Sequence, residues 1–159
     1  MITDIDFEGE KFTHSESNNL EFKESFVDKC FNKYLQTICG FLNSGGGYLI
    51  FGIKDNLDLV GLNPTNSSID KIILRIDSII GEKQIVGLDL DMKPNTKSFI
   101  LLDPSNIKTK QIITSSNKKF LLVEVVPKPN IKYQLVGGMI YYRLGLLLVA
   151  QNLIFLDNS

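Results

Sequence analysis

Tyr48 to Ile53 is an almost wholly apolar run, bounded by Gly45-Gly46-Gly47 on one side and Lys54-Asp55-Asn56 on the other. A short run of this kind reads as a central strand buried on both faces, so the rest of the chain has to supply cover for two sides. Upstream, Phe31, Tyr34, Leu35, Ile38, Phe41 and Leu42 recur at three- and four-residue steps and predict a helix over 28–43. Asp28 or Ser25 is placed to cap its start. Asn43-Ser44-Gly45-Gly46-Gly47 ends it, because glycine accepts the left-handed backbone that a helix terminus requires. Before the helix, Leu20 and Phe22 alternate with Glu21 and Lys23, which predicts a strand over 18–24 with two apolar side chains inward and two charges outward.

Leu59 to Leu62 is expected to return as a short hairpin partner of the central strand. A second helix is predicted over 69–81 from the stripe Ile69, Ile72, Ile73, Ile76, Ile79 and Ile80, with Ser67 and Asp70 as a capping box. Strands follow at 84–92 and 120–126, with a short one at 99–102. The remainder of 93–117 reads as loop carrying Lys93, Lys97, Lys108 and Lys110. Gly137-Gly138 reads as a two-residue hairpin turn between strands at 133–136 and 139–143. Leu144 to Phe155 is unusually apolar and fits either a short helix or a strand, packed on the core or on a partner. The expected fold is α+β: a single mixed or mostly antiparallel sheet with two main helices. Residues 16–159 form one domain behind an acidic leader at 1–15.

Composition narrows the chemistry. With 159 residues, 43% hydrophobic and 22% charged, the chain is long enough to bury a core. Its net charge of −1 gives no global argument for nucleic acid. Asp4, Asp6, Glu8 and Glu10 concentrate acid in the leader, which is expected to be a solvated tail. Cys30 and Cys39 are nine residues apart on the first helix, which argues for reduced thiols and a cytoplasmic setting rather than a disulfide or zinc site. His14 is the single histidine, so a zinc cluster or a Ser-His-Asp arrangement would have to be built around one residue near the N-terminus. No apolar run approaches the length of a membrane span.

Glu21 and Lys23 share one face of their strand. A carboxylate and an ammonium so placed can hold a divalent cation beside a phosphate, and Glu16 offers a second carboxylate. The plainer reading gives Glu16 a turn to cap, Glu21 and Lys23 a salt pair, and Asp55 a hairpin turn to make. Arg143, beside Tyr141 and Tyr142, is a candidate contact for an RNA backbone. Lys118 and Lys119, with Lys108 and Lys110, form a candidate basic rim or a solvated face. Gly45-Gly46-Gly47 follows a helix C-terminus, whose dipole end is negative, and so reads as a turn rather than a phosphate cradle.

Six fragments occur in order: Glu16-Ser17, Leu20-Glu21-Phe22-Lys23, Phe41 to Gly47, Leu49 to Asp55, Val60-Gly61-Leu62 and Tyr142-Arg143-Leu144-Gly145. Together they resemble the Schlafen AlbA-like domain over about residues 16–145. The resemblance implies a ribonuclease of structured RNA such as tRNA and rRNA, with Glu16, Glu21 and Asp55 as the three active-site acids. Three such carboxylates would repel one another unless a cation joined them, and Mg²⁺ or Mn²⁺ suits these all-oxygen ligands, with Lys23 stabilising charge at phosphorus. Larger Schlafen cores pair two related lobes, and this chain supplies one. The implied partner is therefore a second copy or a homologous chain, with a non-catalytic nucleic-acid-binding or assembly module as the alternative. The sequence departs from the family where Arg143-Leu144-Gly145 runs into Leu146-Leu147-Leu148.

Overall fold

In chain order the elements are β1 (Leu20–Lys23), α1 (Phe31–Leu42), β2 (Gly47–Phe51), α2 (Ile69–Gly81), β3 (Ile85–Asp89), β4 (Phe99–Leu101), β5 (Ile107–Ile113), β6 (Lys119–Val125), β7 (Ile131–Leu135), β8 (Met139–Leu144) and β9 (Leu147–Asn152). Single 3-10 turns at Asp4–Phe7 and Asp28–Cys30 precede β1 and α1. This computed structural model describes residues 2–63, 68–91 and 99–152. Ser67, Lys93, Lys97 and residues 153–155, which figure in the sequence expectations, lie outside them.

The α+β class is as expected, but the strands form three sheets rather than one. Their orders are β1-β2-β6-β5, β4-β3-β7 and β8-β9. Among the described residues only β1 and β2 run parallel, joined through α1; the other strand pairings there are antiparallel.

β2 is covered on both sides, as its composition requires. Leu49 and Phe51 face α1 and α2 in one cluster with Phe41, Ile38, Ile76 and Val123. Ile50 faces the opposite way, into a second cluster with Leu20, Phe22, Phe120 and Leu122. The cover on that second face is the N-terminal segment. Phe7 and Phe12 are 1% and 2% exposed, and both rings lie about 5 Å from core aromatics, Phe7 on Phe120 and Phe12 on Phe22. Residues 2–15 are therefore not a solvated tail but a strap across the sheet. Their acids are spent on fixing it: Asp4 pairs with Lys110 at 3.0 Å, and Glu8 accepts from the Ser115 N–H and hydroxyl. The apolar spacing of two phenylalanines among four acids was too sparse to reveal this face.

Two further expectations change. Ile107–Ile113, read as loop, is the edge strand β5, with Lys108 and Lys110 along an edge that its charges protect from further pairing. The turn at Gly137-Gly138 forms, with the Gly138 N–H on the Leu135 carbonyl, but no ladder follows. β7 pairs with β3 and β8 with β9 instead. Gly145-Leu146 is the true hairpin turn, and Leu59 to Leu62 returns through a single bridge, Ile53 to Leu59. Ser68 caps α2, its hydroxyl accepting from the Lys71 N–H. Both cysteines are free; burial pushes the Cys39 thiol up to about 12, so it is unreactive.

If the strap is core, Phe12→Ala should destabilise the protein by about 3–5 kcal/mol. Ile5→Ala, at a side chain 77% exposed, should change stability by less than about 0.5 kcal/mol. Denaturant unfolding followed by circular dichroism separates the two; equal small effects would return the strap to the status of a tail.

Candidate functional site

β1 alternates as predicted, with Leu20 and Phe22 buried and Glu21 and Lys23 half-buried. Glu21 and Lys23 point toward the α1 side of the sheet and stand 3.6 Å apart. Glu21 has a second and closer partner. Arg143 arrives on β8 with its side chain 2% exposed, and its Nη1 bonds Glu21 Oε2. Its Nη2 donates to the Ser17 carbonyl at 2.7 Å, and its guanidinium lies 4.9 Å from the Phe41 ring centroid. Its buried Nε has no hydrogen-bond partner among the described residues. Gly40 on α1 clears the way: a Cβ there would come within 2.8 Å of Leu148 and 3.3 Å of the Arg143 side chain.

Asn43 and Ser44, at the end of α1, hold the strand that brings Arg143 in. The Asn43 amide donates to the Tyr133 carbonyl at 2.8 Å and the Tyr141 carbonyl at 2.9 Å, while its oxygen accepts from the Tyr133 N–H. The Arg143 N–H donates to the Ser44 hydroxyl at 2.8 Å. Gly46 completes the corner with φ of 92°, where a Cβ would meet the Val125 carbonyl at 2.7 Å. The Asn-Ser-Gly fragment is thus a clamp joining β7, β8 and α1. The sequence displayed these residues, but no local rule names the carbonyls they would reach.

Glu16 precedes β1 and folds back on it, its Oε1 accepting from the Phe22 N–H at 3.0 Å. Its pKa is raised, first by burial, against the lowering effect of that N–H. The charges of Glu21 and Asp55 raise it further and Lys23 opposes them. Asp55 sits exposed in the turn after β2. The Gly52 N–H, on the Lys23 carbonyl at 2.7 Å, keeps the chain entering that turn beside the end of β1. Glu16, Glu21, Lys23 and Asp55 therefore share one corner and one field. They do not form a ready cage: among the described residues no group of three His, Cys, Asp or Glu side chains stands ready to hold a metal ion. Glu21 is engaged by Arg143, and Glu16 has given one oxygen to Phe22.

The expected nucleic-acid contacts are scattered. Arg143 is inside, committed to Glu21. Lys118 is exposed, its ammonium donating to the Leu59 carbonyl at 2.8 Å. Lys119, half-buried at the start of β6, lines a cavity of about 230 Å³ with Leu62 and Gln111. Both lysines lie at the Lys23 end of the sheet, two strands away from β1. No helix among the described residues is long and apolar enough to cross a membrane.

The family model described as Schlafen, AlbA_2 matches residues 16–147 of this chain. A stretch of 52 residues is 42% identical to a Ureaplasma parvum serovar 3 protein named as an uncharacterized ATP-binding protein. That stretch is 32% of this chain and 15% of the relative's length.

The Glu16 field has a measurable pH signature. A carboxyl whose folded pKa lies above its unfolded value near 4.5 binds the proton more tightly when folded, so its ionisation weakens the fold as pH rises through that window. Glu16→Gln keeps the acceptor for Phe22 and removes the charge. It should be more stable than the wild type at pH 7, with the advantage disappearing below about pH 4. Thermal melts of both proteins from pH 3 to 8 check this; a constant offset would refute it.

Proposed function

Because the chain belongs to the Schlafen AlbA_2 family, we propose that it is a metal-dependent endoribonuclease of structured RNA, or a subunit of one, with the corner at β1 as its reaction site. The observation that supports this reading is the corner at Glu16, whose carboxyl is pushed up first by burial and further by the charges of Glu21 and Asp55. Carboxylates that repel one another are stabilised by a hard divalent cation, Mg²⁺ or Mn²⁺. Mg²⁺ is ordinarily held by one or two carboxylates with waters and a substrate phosphate, so the donor set fits. Glu16, through its oxygen not bonded to Phe22, and Asp55 are the carboxylates left to hold it. The bound cation would polarise a phosphoryl oxygen and acidify the attacking water or 2′-hydroxyl.

The protein's own side chains divide the remaining work. Lys23, half-buried and 3.6 Å from Glu21, offers an ammonium to the charge that grows on phosphorus. Glu21 anchors Arg143 instead of serving as a third ligand in this arrangement. Lys118 and Lys119 extend the same end of the sheet toward RNA phosphates. Such a substrate implies work in the cytoplasm. The ATP binding in the Ureaplasma protein's name is not carried over, since Gly45-Gly46-Gly47 leads into Tyr48-Leu49 and not into the Lys-Ser or Lys-Thr of a phosphate loop.

A tRNA incubated with the protein and Mn²⁺ or Mg²⁺ should be cut. Asp55→Asn should lower the rate about 100-fold and weaken Mn²⁺ binding in calorimetry without changing the melting temperature. Glu21→Ala should lose cleavage and also about 3–5 kcal/mol of stability, since Arg143 is left buried without its carboxylate. Intact tRNA with the wild type and Glu21→Ala alike would sink the reading for this chain.

One observation favours a second reading, assembly with another copy. The outer face of the β8–β9 hairpin exposes Leu144 (64%) and Leu147 (69%), with Leu146 and Val149 beside them. No charge occurs between Leu144 and Asn152, and among the described residues β9 pairs only with β8. Two β9 edges can meet without like charges opposing. Sedimentation should show a dimer that Leu147→Lys dissociates and that Glu16, Glu21 and Asp55 substitutions leave intact. A wild type that stays monomeric at all concentrations would reject it.

A further inference from the structure

The strap does more than cover the sheet. Glu10, Lys11 and Phe12 grip the turn that carries Asp55 at four points. The Phe12 N–H donates to the Leu57 carbonyl at 2.8 Å, and the Leu59 N–H donates to the Glu10 carbonyl at 3.0 Å. Lys11 Nζ donates to the Asn56 carbonyl at 3.2 Å and pairs with Asp58 at 2.5 Å. The turn is not one that its sequence favours. Leu57 has φ of 77°, a region leucine rarely occupies, and its side chain packs on the second cluster. Such a conformation persists where its surroundings over-determine it, and here the strap supplies the surroundings.

The same segment ends in Glu16. Between the grip and Glu16 it is fastened by Asp6, which accepts from the Thr13 hydroxyl at 2.7 Å and the Thr3 N–H at 2.8 Å, and lies 3.5 Å from His14. One short stretch of chain thus carries Glu16 and holds the Asp55 turn. Neither residue's place is set by β1 and β2 alone.

We infer that residues 10–16 are the frame that sets Asp55 against Glu16, with Lys11 as its positioning residue. The purpose of this frame rests on the corner being the reaction site; its geometry does not. The Lys11 ammonium touches neither carboxylate, and acts through Asn56 and Asp58.

The test uses the full chain with Lys11→Ala and Lys11→Arg. An exposed ion pair contributes little to global stability, so the change reports on the turn and not on unfolding. Amide hydrogen exchange at Leu57, whose N–H bonds the Lys54 carbonyl at 2.9 Å, should quicken about tenfold in Lys11→Ala. The amides of β2 and β6 should stay unchanged, and Lys11→Arg should restore protection. With tRNA, kcat should fall about tenfold while KM holds. Unaltered protection at Leu57 in Lys11→Ala overturns the frame. A loosened turn with undiminished kcat overturns the positioning role. A loosened turn in a protein that never cuts RNA upholds the frame and rejects the nuclease reading alone.

Discussion

A guanidinium cannot be left in a protein interior without a counter-charge, and the placement of Arg143 follows from that constraint. Its side chain runs between α1 and β1, where Glu21, the Ser17 carbonyl and the Phe41 ring receive it. Arginine suits the role better than lysine would, because its planar fork reaches two acceptors while its face lies against an aromatic ring. Everything around it is arranged to let it in. Gly40 removes a side chain from its path, Ser44 fixes its N–H, and Asn43 fixes the two strands on either side of the turn before it. Four motif fragments far apart in sequence are, in space, one lock between the first strand and the last hairpin.

The lock also explains what the carboxylates can do. Glu21 neutralises a buried cation, which holds it in place. Glu16 meets the opposite conditions, with burial and two acid neighbours but only a backbone N–H and the more distant Lys23 in its favour. Two glutamates five residues apart are thereby set to different tasks by their surroundings. Asp55 belongs to neither environment. It is exposed on a turn whose backbone the strap holds.

Local patterns were legible where burial follows period. The β1 alternation, the stripes of α1 and α2, and the apolar run of β2 all lie where the residues imply. The misreadings share a cause, which is that pairing is decided by partners distant in the chain. Ile107–Ile113 looks polar because its outward lysines sit on a sheet edge, and only β6 makes it a strand. Gly137-Gly138 has the chemistry of a hairpin turn, but pairing with β3 and with β9 takes the flanking strands into different sheets, and Asn43, 90 residues from Tyr133, bonds both. The strap hid its two phenylalanines among acids. For the site, the residues of the corner were readable as chemistry; that Arg143 would be inside, and that Lys11 would hold Asp55's turn, were not. Both depend on contacts that no spacing encodes.

Arg143 follows Glu21 by 122 residues, and that separation has a consequence for a growing chain. Synthesis at roughly 5–20 residues per second puts about 6–24 seconds between the two residues. For that interval β1, α1 and β2 can assemble around a glutamate whose counter-ion has not yet been made. The nascent domain passes through a state in which Glu21 faces Lys23 without Arg143, and translation of the β8–β9 hairpin is the step that ends it.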